Sequence, residues 1–152
     1  MYGHEQTKRE VIYNEYKPDV ERLMRYLPWL ARTSSVRSYY EGDLEHPVIK
    51  IPVFDSTFLQ FVKEVERTRF VNKNYPYIYT RYRIKTPEDE RKAMENAKIT
   101  DIHIFEAVLS KYVLLGKRRA ATWSESITEE IFLTALRCLK ELFYSYSPDG
   151  KE

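Results

Sequence analysis

Metal centres, nucleophiles and phosphate cradles need particular residue types at particular spacings, and the chain supplies few of them. Its three histidines, His4, His46 and His103, are far apart and Cys138 is its one cysteine. No pair therefore stands at the helical or knuckle spacing that gathers zinc ligands, and no metal is expected. Asp43-Glu45-His46 comes nearest to a ligand set, but it reads more simply as a turn in which His46, ahead of Pro47, makes local hydrogen bonds. Cys138 falls in an amphipathic stretch where a small packed side chain is the expected role, since a nucleophile needs a base within reach and a lowered pKa. Ser124, Ser126 and Thr128 precede an apolar stripe and are explained as helix caps; no Gly-x-Ser-x-Gly elbow surrounds them. The glycines at 3, 42, 116 and 150 are too scattered to bring backbone amides onto a phosphate. Carboxylates are abundant but nothing selects an acid/base pair. No cofactor is expected, and an enzyme remains an alternative only with a site that forms in the fold.

The cations are more telling than the formal net charge of +2. Arg67, Arg69, Lys73, Arg81, Arg83 and Lys85 precede Thr86 with no acid among them, and Lys111, Lys117, Arg118 and Arg119 fill a second acid-free stretch. The remainder holds fifteen cations against twenty-three carboxylates. Tyr75, Tyr77, Tyr79 and Tyr82 interleave with the first cluster. Such a mixture suits a protein interface, where Tyr and Arg are enriched. It also suits nucleic acid, with cations on phosphates and rings on bases. A third reading gives it no specific role: tyrosines fill the core and the cations pair with the acidic stretch Glu88 to Glu95. The expected function is a non-enzymatic accessory or interaction domain whose macromolecular partner is a protein rather than a nucleic acid. The expected contact residues are Arg69, Lys73, Tyr77, Tyr79, Arg81, Arg83, Lys117, Arg118 and Arg119. Nucleic-acid binding and a phage or mobile-element inhibitor of a host complex are the alternatives.

These side chains must be positioned by a fold, and at 152 residues the chain fits one domain. With 43% hydrophobic and 32% charged residues it can bury a core and keep a solvated surface. The longest stretches free of charge are seven residues, such as Ser56 to Val62, too short for a membrane span. Residues 1–10 lack the apolar centre of a secretory signal, and the lone cysteine suits a reducing compartment, so a cytoplasmic location is expected and no membrane partner.

Residues 1–16 read as a flexible polar lead and 147–152 as a flexible tail, bracketing one domain over 17–146. A first helix is expected from Pro18 to Leu27, where Pro28 stops it and Trp29 and Leu30 anchor the chain. His46 to Phe54, with Ile49, Ile51 and Val53 alternating, reads as an extended edge segment. Phe58, Phe61, Val62 and Val65 mark a helix over about 56–69. The alternating tyrosines of 75–84 read first as a strand. Thr86-Pro87-Glu88-Asp89 starts a polar surface helix anchored by Met94. Thr100 or Asp101 caps a helix through Ile102, Phe105, Leu109, Tyr112 and Val113. Ser126-Ile127-Thr128-Glu129 has capping-box spacing ahead of Phe132, Ala135, Leu136, Leu139, Leu142 and Phe143. A loop around 120–123 would join these two helices at the centre of the core. The expectation is a mostly α, single compact domain of four or five helices with a short extended element near 47–53 and another near 75–84.

Glu45-His46-Pro47-Val48 followed by Pro52, the Phe58-to-Val65 helix, the tyrosine-bearing middle and the closing Leu136-Arg137-Cys138-Leu139 together resemble an uncharacterised family of small bacterial domains of the Firmicutes type. Members carry an Arg-x-x-Arg-Phe stretch where this chain reads Gly116-Lys117-Arg118-Arg119-Ala120. The resemblance implies a bacterial origin and a compact fold, and transfers no functional residue.

Overall fold

The computed structural model describes residues 7–32, 38–40, 51–53 and 56–146, and these are mostly α-helical. Eight α-helices are found among them, more than the four or five expected: α1 (Lys8–Met24), α2 (Leu27–Arg32), α3 (Ser56–Glu66), α4 (Tyr75–Arg81), α5 (Pro87–Glu95), α6 (Ile102–Gly116), α7 (Ala120–Thr128) and α8 (Ile131–Tyr144). The backbone of β1 (Ser38–Tyr40) pairs antiparallel with β2 (Ile51–Val53), Ser38 opposite Val53 and Tyr40 opposite Ile51. The rest of the extended segment expected over 46–54 lies outside the described residues, as do Asp43, Glu45, His46, His4 and the 147–152 tail.

The first correction concerns the lead segment. Residues from Lys8 onward are helical, capped by Thr7, whose side chain accepts from the Glu10 amide at 3.1 Å. Pro18 lies inside this helix instead of starting it. An interior proline costs about 3 kcal/mol. Ile12, Tyr16, Val20 and Leu23 are all buried along one face, and each large apolar side chain contributes roughly 1.5–3 kcal/mol, enough to carry the helix through. Pro28 sits one residue into the short α2, so the chain bends at Arg25 and Tyr26 and resumes.

The core is aromatic. Phe58 and Phe61 of α3 meet Phe132 of α8 at ring-centroid separations of 5.9 and 5.0 Å, and Tyr112 of α6 meets the same ring at 6.2 Å. All four are essentially inaccessible to solvent. Edge and tilted contacts of this kind add to simple area burial. The apolar stripes of α6 and α8 line this core as their spacing predicts.

Their connection differs from expectation. Residues 120–128 form α7, and Ser126 to Glu129 end it where a cap was expected to begin the next helix. Ser126 donates to the Trp123 carbonyl at 2.6 Å within α7, and Glu130, in the left-handed region at φ 56°, turns the chain into α8. Trp123 decides the outcome: its ring packs edge-on to Phe58 at 5.8 Å, drawing 120–128 onto the core.

Candidate partner-binding surface

The segment 75–84, expected as a strand, carries the candidate contacts and is helical over most of its length. Residues 75–81 are α4, with Pro76 in its first turn, where proline's fixed φ suits a helix and its missing amide costs nothing. No residue of α4 is fully buried. The helix packs on α6 through polar chemistry centred on one side chain. The Tyr79 hydroxyl donates to Glu90 Oε2 of α5 at 2.5 Å, and Tyr112 of α6 donates to Glu90 Oε1 at 2.5 Å. Lys111 Nζ completes the set 3.2 Å from Oε2, and lies 4.9 Å from the Tyr79 ring centroid. Glu90 is fully buried. Burial, reinforced by the Glu90 carboxylate, pushes both phenols far above their usual range, so both remain donors.

The far end of α4 closes in a Schellman turn. Ile84 N bonds Tyr79 O at 2.9 Å, Arg83 N bonds Thr80 O at 3.2 Å, and the buried Ile84 packs beneath. The residue in the left-handed position is Arg83, at φ 57°. Thr86 caps α5 ahead of Pro87 as expected, and with Asp89 it forms a reciprocal capping box. Hydrogen bonds from the Lys85 amide, then from Thr86, hold the Asp89 carboxyl below its ordinary value.

The nine expected contact residues divide into two groups. Three are engaged within the domain. Arg69 Nη1 reaches Glu15 at 3.3 Å and its Nε reaches Asp19 at 3.4 Å; Lys117 Nζ pairs with Glu66 at 2.5 Å; Tyr79 is held by Glu90. Lys111, from the same basic stretch, is neutralised by Glu90. The other six, Lys73, Tyr77, Arg81, Arg83, Arg118 and Arg119, are exposed. None of these five cations has a carboxylate within ion-pair distance among the described residues, and Arg81 lies over the Tyr82 ring at 5.7 Å. Tyr82 and Lys85, next to them in the chain, are exposed as well. Tyr77 is 65% exposed and Tyr82 is 37% exposed. Arg81, Tyr82, Arg83 and Lys85 thus follow one another around a single helix end, with Tyr77 one turn earlier.

Other candidate chemistry is confined. Glu106 accepts from Tyr16 and pairs with His103 Nδ1 at 2.8 Å, which joins α1 to α6. Burial and the nearby Glu106 raise the Tyr16 phenol, keeping it a donor. Cys138 lines a cleft of about 150 Å³ with Met94, Glu95, Glu141 and Leu142, below the size of ordinary ligand pockets. Burial, with Glu95 and Glu141 nearby, pushes its thiol up to about 11, the opposite of an activated nucleophile. Among the described residues no group of three or more His, Cys, Asp or Glu side chains could hold a metal ion, and no helix is long and apolar enough to cross a membrane. The chain matches no protein-family model, and no curated protein or solved structure is significantly similar to it.

Proposed function

We propose that this chain is a non-enzymatic interaction domain that recognises an acidic region of a protein partner through α4 and the turn that follows it, with Arg118 and Arg119 as a second exposed pair. The observation that carries this reading is a local cluster of exposed arginines, lysines and tyrosines at one helix end. Arg25, Arg69, Arg91, Lys111 and Lys117 each find a carboxylate inside the domain, while Lys73, Arg81, Arg83 and Lys85 find none among the described residues. Arginines with no internal partner beside exposed tyrosines are the residue types enriched at protein interfaces. Their setting favours protein over nucleic acid. Glu88 and Asp89 open α5 within four residues of Lys85, so the positive run ends there, short of the continuous track that a phosphate backbone needs.

Affinity capture from lysate of the source cell, with and without nuclease, tests the reading. Wild-type chain is expected to retain a protein partner in both conditions, and the quadruple change of Arg81, Arg83, Arg118 and Arg119 to Glu is expected to release it without altering the melting temperature. Capture that survives charge reversal would overturn the assignment. Capture abolished by nuclease would replace the protein partner with nucleic acid.

A further inference from the structure

Arg83 occupies the left-handed position of the Schellman turn that ends α4, at φ 57°. Glycine is the residue that position ordinarily takes, because a Cβ there crowds the following carbonyl. The fold does not use the arginine side chain: it is exposed and makes no hydrogen bond or ion pair with any described residue. A cation near a helix C-terminus gains a little from the helix dipole, but Arg81 in the last turn already supplies that. An arginine is therefore held at a strained position with no return inside the domain; Glu130 shares that φ and exposure, and what sets Arg83 apart is its place among Arg81, Tyr82 and Lys85.

The geometry fits the same purpose. The backbone on either side of Arg83 is pinned, by the Tyr79 and Thr80 carbonyls before it and the buried Ile84 after it. Tyr79 is in turn fixed by Glu90. A guanidinium carried on fixed backbone loses less freedom on binding than one on a loose loop. It also offers a rigid two-pronged donor to a carboxylate.

We infer that Arg83 is the specificity-determining contact of the partner surface, engaging a carboxylate of an acidic protein segment and kept against the conformational preference of its own turn. The inference rests on the proposed partner surface, and its test separates the two. Arg83→Gly is expected to raise the melting temperature by about 2–4 °C while weakening binding of a fluorescein-labelled poly-glutamate peptide at least about tenfold, the worth of one charge-assisted pair. Glu130→Gly, at the only other non-glycine residue with positive φ among the described residues, is expected to raise the melting temperature similarly and leave binding unchanged.

A fall in melting temperature on Arg83→Gly would show that the fold itself favours arginine there, overturning the inference. Unchanged peptide binding by Arg83→Gly, with binding lost in Arg81→Glu, would overturn it and leave the surface standing. No binding by wild type, or binding indifferent to both changes, would remove the surface and the inference together. Tighter binding of labelled oligo-dT than of poly-glutamate would overturn the acidic protein segment as the ligand.

Discussion

Replacing Tyr79 with Phe removes one hydroxyl and leaves the ring, so it isolates the hydrogen bond that joins α4 to the core. The lost bond is a 2.5 Å donation to a buried carboxylate oxygen. Hydrogen bonds to charged groups contribute about 1.5–3 kcal/mol. Glu90 Oε2 keeps Lys111 at 3.2 Å and Oε1 keeps Tyr112 at 2.5 Å, so the carboxylate is not orphaned and the cost belongs at the lower end, about 1.5 kcal/mol. Because α4 has no fully buried residue, that loss falls first on its local attachment. The amides of Tyr82, Arg83 and Ile84, bonded to Ile78, Thr80 and Tyr79, report on it directly. Their hydrogen exchange is expected to quicken about tenfold, since 1.4 kcal/mol is a factor of ten, while amides in the middle of α8 change less. Tyr77→Phe, on an exposed ring, is the control and should alter neither. Equal exchange in Tyr79→Phe and wild type at those three amides would refute the claim that Glu90 holds α4.

Other perturbations follow from the same contacts. At Gly116 an added Cβ would lie 1.8 Å from Trp123 Nε1, so Gly116→Ala must displace the indole; a loss of about 1–3 kcal/mol in urea unfolding and a changed tryptophan emission are expected. The Asp89 carboxyl is held below its ordinary value, so the stability it lends is complete at neutral pH and disappears as the pH falls through its folded pKa; Asp89→Asn should flatten the acid limb of a stability-versus-pH curve. The thiol of Cys138, pushed up to about 11, should react slowly with iodoacetamide at neutral pH and faster as pH rises towards that value. Rapid labelling at pH 7 would contradict its burial.

The parts of this fold legible in the sequence are those decided within a few residues. Thr86 and Asp89 complete their capping box across three positions, and Phe132, Leu136, Leu139 and Phe143 of α8 repeat on one face. The same local pattern misled at Ser126 to Glu129, where the cap spacing is present but Trp123, through its contact with Phe58, turns the preceding residues into a helix. Residues 75–84 misled for a related reason. Tyr75, Tyr77 and Tyr79 alternate as a strand would, yet Tyr75 and Tyr79 are also one helical turn apart, and their rings meet at 6.3 Å. What settles the matter is Glu90, an acid in a polar stretch that gives no hint of burial. The contact residues suffered likewise. Arg69 finds Glu15 and Asp19, and Lys117 finds Glu66, about fifty positions away along the chain, so no reading of local charge could separate engaged cations from available ones.

The central claim is that the Tyr77 and Arg83 surface meets another protein, and photo-crosslinking reads that contact where it occurs. With p-benzoylphenylalanine in place of Tyr77, irradiation of source cells is expected to yield a discrete, nuclease-resistant protein adduct that disappears when Arg81 and Arg83 are changed to Glu. An adduct of equal intensity in the charge-reversed chain, or irradiation that yields no protein adduct from this position, would contradict it.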